Sequence, residues 1–199
     1  MISLGTMFWI LVTFFGLIGA LRGWTKEVIA TSGLILSLFA LNQFAAPLFE
    51  FIGSREVTNA AGEVISPARQ QFYILASIHL FIAFFSYQGP VVAGRRIGER
   101  LRVRDSFQDK ILGLLVGGLN GYLIFGSMWS FLEYKVVSAT EWQRLDPGIA
   151  YPFDPTVILR PAIDSDLFSM LNNMPIPMLA PWLPYLVVLV FLFVIVVMI

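Results

Sequence analysis

Residues 106–132 read SFQDKILGLLVGGLNGYLIFGSMWSFL, and this run limits what the chain can fold into more than any other. From Ile111 to Leu132 it carries no formal charge. As a helix it would extend about 33 Å, enough to cross the hydrocarbon core of a bilayer. Gly113, Gly117 and Gly121 recur at every fourth position and share one face, with Asn120 beside them. Glycine disfavours a helix, so a row of three needs a cause. In a membrane the cause is close backbone approach by a neighbouring helix. The run is therefore expected to be the central packing helix of a membrane bundle.

Composition supports that environment. Hydrophobic residues make up 57% of the 199-residue chain and charged residues 13%, with 18 phenylalanines, more apolar surface than a soluble fold of this size can bury. The 13 basic and 13 acidic residues cancel, so no global attraction for nucleic acid follows. The absence of cysteine excludes disulfides, thiolate catalysis and cysteine-ligated metals. The first residues are apolar from Ile2 without a basic leader, which reads as a retained span rather than a cleaved signal.

The expected fold is an all-α integral membrane protein, a small polytopic bundle of about five transmembrane helices: two hairpins plus a C-terminal span. The spans fall at Ile2–Leu21, Val28–Phe49, about Gln71–Gln88, Ile111–Leu132 and Leu183–Ile199. Gly16 and Gly23 form a small-residue edge near the end of the first span, which should fold back on the second as a tight hairpin. Pro47 is expected to end or bend the second span, and Gly89-Pro90 to kink or break the third. Residues 1–145 form a four-span core. Residues 146–181 are a proline-rich loop, with a short amphipathic helix expected over Pro161–Asn172, and residues 182–199 are an anchor. The first and third links hold eight Lys and Arg residues against five in the second and fourth, so the positive-inside rule puts the N-terminus outside and the C-terminus inside.

Four groups of residues are candidates for function. His79, the only histidine, lies near the middle of the third span. It is either a proton relay or haem or pigment ligand, or an imidazole hydrogen-bonded to a neighbouring helix. Arg22, Lys26, Glu27, Asp109 and Lys110 sit at the expected cytoplasmic surface, as ion pairs locking the bundle or as ordinary span-end charges. Arg95, Arg96, Arg100, Arg102 and Arg104 form a basic run that suits anionic lipid or a partner, or simply signals topology. Asn42, Gln43 and Asn120 are polar groups inside spans, where they line a path or bind helices together. The cofactor is left open. The expected contacts are the lipid bilayer and other membrane proteins, or a second copy, through the glycine faces.

The stretch GLIGALRGWTKEVIATSGLILSLFAL resembles the first hairpin of the colicin V production protein (CvpA) family. Arg22, Gly23, Trp24, Lys26 and Glu27 match its Arg-Gly-aromatic, basic, Glu pattern. Asp109-Lys110-Ile111-Leu112-Gly113, followed by Gly117 and Gly121, matches its entry to a glycine-rich fourth span. The resemblance covers residues 2–145. The chain departs from it in having Asn120-Gly121 where many members have Arg-Gly, and in its added fifth span. The resemblance implies a bacterial inner-membrane protein linked to bacteriocin (toxin) production and envelope processes. On that basis the function is a non-enzymatic scaffold or assembly factor. The alternatives are an accessory subunit of a respiratory or photosynthetic complex, and a small transporter or channel. The sequence shows no acidic or basic residue deep in a span, which weighs against transport, and no nucleophile–base pair, which weighs against an enzyme.

Overall fold

The computed structural model describes residues 3–53, 57–58, 64–65, 67–92, 106–138, 140–146, 151–153, 157–158, 160–162 and 165–198. The basic run of Arg95, Arg96, Arg100, Arg102 and Arg104 lies outside the described residues. The architecture is all-α, with two small β-hairpins.

Helix α1 (Leu4–Arg22) starts on Ser3, whose hydroxyl accepts the Thr6 N–H at 3.1 Å. A single residue, Gly23 at φ 86°, separates it from α2 (Trp24–Ile52), and only glycine takes that conformation readily. The link between the first two spans is thus a one-residue elbow. Pro47 does not end α2: the helix runs five residues beyond it to Ile52 and stops at Gly53, φ 69°. Helix α3 (Pro67–Val92) follows a two-stranded pair, β1 (Val57–Thr58) and β2 (Val64–Ile65), and stays helical through Gly89 and Pro90 rather than breaking there. Helix α4 (Ser106–Gly121) passes through a π turn, Tyr122–Gly126, into α5 (Ser127–Glu133) without interruption.

Among the described residues, four helices are long and apolar enough to cross a membrane: Leu4–Arg22, Trp24–Ile52, Phe107–Glu133 and Pro175–Val196. Helix α3 has the length too, at 26 residues, and carries no charged residue after Arg69. The last span is longer than expected. Its 22 residues combine α7 (Pro175–Leu179), a 3-10 turn at Ala180–Trp182 and α8 (Leu183–Met198).

Packing pairs α1 with α4 and α2 with α3, so the main partner of α1 is not its sequence neighbour. The core lies where α2, α3 and α4–α5 meet, with Leu34, Leu38, Leu75 and Phe131 fully or almost fully buried. Helix α8 rests on α2 and leaves most of its side chains outward, Phe191 at 64% and Val196 at 75% exposure.

The segment after Glu133 carries regular structure on either side of the proline-rich stretch. It opens with an antiparallel hairpin, β3 (Tyr134–Ser138) and β4 (Glu141–Arg144), in which Val136 faces Trp142. The short helix beyond it is α6 (Asp166–Met170), capped by Ser165, which replaces the helix expected from Pro161. Helix α7 then seats against Gly126, where a Cβ would come within 2.7 Å of Pro175 Cδ.

Candidate functional site

The elbow between α1 and α2 gathers the polar groups of the bundle interior. Glu27 is completely buried, not at the surface where its position beside Arg22 and Lys26 suggested. Arg22 donates to Glu27 Oε1 at 2.5 Å and to the Tyr87 carbonyl at 3.0 Å, with its guanidinium 4.4 Å from the centre of the Tyr87 ring. Tyr87 Oη donates to Glu27 Oε2 at 3.0 Å. Asn120 Nδ2 donates to the same oxygen at 2.8 Å and to the Glu27 carbonyl at 3.0 Å. Thr31 completes the cluster by donating to Asn120 Oδ1 at 2.7 Å. Three side chains, from α1, α3 and α4, therefore converge on one carboxylate of α2. A buried carboxylate is tolerable only when paired and hydrogen-bonded, and removing its partner typically costs about 3–5 kcal/mol. Glu27 stands in the first turn of α2, buried among the helices at the end of a span rather than deep in one.

Asp109 closes the elbow from the other side. Its carboxylate accepts the Trp24 N–H at 3.1 Å, so the first turn of α4 caps the start of α2. A Cβ on Gly23 would stand 2.7 Å from Asp109 Oδ2, which gives that glycine a second reason besides its backbone. Lys26 and Lys110 point outward and are exposed. Of the five charged residues in the motif, the fold brings Arg22, Glu27 and Asp109 to the elbow and leaves the two lysines on the surface.

The glycine face of α4 meets α1. A Cβ at Gly117 would lie 2.5 Å from the Phe15 carbonyl oxygen and 2.8 Å from Gly19 Cα. Cβ atoms at Gly19 or Gly113 would overlap the other residue's carbonyl oxygen, and one at Gly16 would sit 3.2 Å from Leu114 O. Gly121 fits against Val12 and Phe15. The obstructing atoms are largely backbone and cannot swing aside. Asn120, one position before Gly121, turns instead to α2.

A second buried carboxylate, Glu133, lies at the opposite end of α4–α5. Arg160 grips it with two bonds, Nε to Oε1 at 3.1 Å and a terminal nitrogen to Oε2 at 2.8 Å, the fork geometry that suits a carboxylate. Arg144 Nε stands 3.7 Å away, its guanidinium 3.6 Å from the centre of the Phe168 ring. Tyr151 donates to Glu133 and accepts from Trp129 Nε1 at 3.1 Å. Burial, reinforced by the Glu133 charge, pushes the Tyr151 phenol above its ordinary range and keeps it protonated as a donor. This cluster pins the post-helix segment to the bundle. The sequence contained its signal: Glu133 is the first charge after the uncharged run, and Arg144 and Arg160 are the two arginines of the following loop.

His79 is fully buried on α3. Its Nδ1 is 2.9 Å from Ser37 Oγ on α2, and its ring stands edge-on to Phe131, 5.9 Å between centroids. Neither of the two cavities described in the molecule is lined by it. Nε2 has no hydrogen-bond partner among the described residues. Asn42 receives the β3–β4 hairpin on α2: its Oδ1 accepts from Trp142 Nε1 at 2.8 Å and its carbonyl from Thr140 N at 3.1 Å. Among the described residues, no group of three or more His, Cys, Asp or Glu could hold a metal ion.

Fold and site together define a small all-α membrane protein whose first helix is sealed to its fourth by glycines and whose elbow encloses an Arg–Glu pair. The chain belongs to the colicin V production protein family, which it matches over residues 5–153. The match takes in the elbow, the glycine seam, Glu133 and Tyr151, and stops before Arg160 and α6–α8. No curated protein and no solved structure matches the chain.

Proposed function

We propose that the protein is a non-enzymatic scaffold or assembly factor of the bacterial inner membrane, with its N-terminus outside, acting in toxin production or envelope processes. One observation carries this reading: the two fully buried carboxylates are taken up by holding elements together. Glu27 is enclosed by Arg22, Tyr87 and Asn120, and Glu133 by Arg160, Arg144 and Tyr151. Groups so saturated are suited to fixing a shape rather than to attacking a substrate. What the bundle then offers is an apolar outer surface, largest on α8.

A second reading, an accessory subunit of a respiratory or photosynthetic complex, is favoured by α8 itself. That helix lies beyond the family match and exposes Tyr185, Leu189 and Phe191 outward from the bundle. A transporter gains nothing from the buried Glu27, which stands in the first turn of α2 and lines neither described cavity.

Gentle detergent extraction from the native membrane tests both. The scaffold reading expects partner chains in fixed ratio and no visible absorption band. A haem or pigment band would favour the subunit reading and make His79 the residue to replace. A pure, colourless monomer would contradict both.

A further inference from the structure

We infer that the interior of the bundle binds one water molecule, held between His79 on α3 and the π turn that joins α4 to α5. Two fully buried side chains there each have a polar atom to spare. Nε2 of His79 and Oγ of Ser127 have no hydrogen-bond partner among the described residues. A buried donor or acceptor left without a partner loses its hydration for nothing, so native interiors leave few of them.

Both atoms are drawn to one backbone carbonyl. The His79 ring faces the carbonyl of Leu123 and stands edge-on to Phe131 on the same rod. Ser127 lies four residues past Leu123, and a helical serine hydroxyl reaches the carbonyl four residues back. Ser130 makes that contact, donating to the Gly126 carbonyl at 2.9 Å, whereas Ser127 does not. The π turn supplies the third group. In an α-helix the Ser127 N–H would bond to the Leu123 carbonyl, but here it bonds to the Ile124 carbonyl instead. The Leu123 oxygen therefore keeps acceptor capacity that the regular ladder would have used.

A ring nitrogen, a hydroxyl and a carbonyl make three polar partners, within the two to four that a buried water needs. The water accepts from the Nε2–H of neutral His79 and donates to Leu123 O and Ser127 Oγ. Nδ1, 2.9 Å from Ser37 Oγ, is then the accepting nitrogen of the ring. The result is a hydrogen-bonded chain from Ser37 through His79 and the water to Ser127, which ties α2, α3 and α5 together. It rests on neither reading of the function above and bears on both, because the nitrogen that would ligate a haem or pigment is taken.

His79 is the chain's only histidine, so labelling histidine with nitrogen-15 gives a single imidazole to observe. The test is magic-angle-spinning NMR of the full chain in lipid bilayers. The site predicts a protonated Nε2 whose proton shows a contact to water. In Ser127→Ala that contact should be lost, while the Nδ1 signal, set by Ser37, stays in place. A ring proton with no contact to water in the unaltered protein would overturn the proposal, as would a coupling showing that Nε2 bonds directly to the Leu123 carbonyl. An undiminished contact in folded Ser127→Ala would overturn the part given to Ser127. Should that variant not fold, the unaltered protein still decides the presence of the water.

Discussion

The two ends of the α1–α4 pair solve the same packing problem in opposite ways. At the elbow, glycines bring backbones together and a buried ion pair fills the adjoining space with hydrogen bonds. At the far end, phenylalanine, leucine and tryptophan hold the helices apart, and a folded loop closes the gap from above through Glu133. The first arrangement tolerates no added atom, because the obstacles are backbone. The second is lined by flexible side chains and has room. Rigidity and adaptability thus sit on one pair of helices, about ten residues apart along each rod.

That contrast breaks most readily at the tight end. Gly117→Leu inserts a branched side chain against the Phe15 carbonyl and Gly19 Cα. Overpacking of this kind costs about 1–3 kcal/mol even where neighbours can move, and here they cannot. The expected outcome is loss of the folded bundle, read as aggregation on size-exclusion chromatography in detergent. Normal assembly of that variant would remove the seam from the account.

Next in size is Glu133→Ala. It leaves Arg160 and Arg144 without their shared carboxylate and is expected to cost about 3 kcal/mol or more. Because the contacts lie at the end of the bundle, the loss should be local. Proteolysis is expected to cut within residues 140–165 while the helices stay folded.

A smaller effect, about 1 kcal/mol, is expected for Asp109→Ala, which removes the cap on α2. Asp109→Asn should recover most of it in a thermal melt, since the amide oxygen still accepts the Trp24 N–H. Trp142→Phe is the mildest, expected to cost about 0.5–1.5 kcal/mol by deleting the bond to Asn42 while keeping the stacking on Phe131. Hydrogen exchange of the β3–β4 amides would register it before any change in the helices.

What the sequence made legible follows the same division. The glycine row on α4 pointed to a close helix neighbour because its spacing is periodic and its cost in helix propensity is plain. It did not reveal that the neighbour is α1, since that depends on the one-residue elbow at Gly23 directing α2 away. Glu27 looked like a surface charge because its neighbours Arg22 and Lys26 are charged. Its burial comes from Tyr87 and Asn120, which arrive from 60 and 93 residues away. The anchoring of the segment after Glu133 was hidden for a related reason. Prolines at 147, 152, 155 and 161 speak against regular structure. They say nothing about a carboxylate and two arginines that fold an irregular chain by pairing.

The account rests most heavily on Glu27 being a structural anchor rather than a reacting group. The direct measurement compares Glu27→Ala, Arg22→Met and the double variant Arg22→Met/Glu27→Gln, each for thermal stability and for the chains that co-purify from native membranes. Glutamine keeps an acceptor for Tyr87 and Asn120, and removing both charges leaves none unpaired. The account predicts that the first two variants melt well below the unaltered protein, while the double variant regains most of the stability and the full set of partners. A double variant that is stable yet has lost its partners would contradict it, because the charge itself would then be what the protein uses.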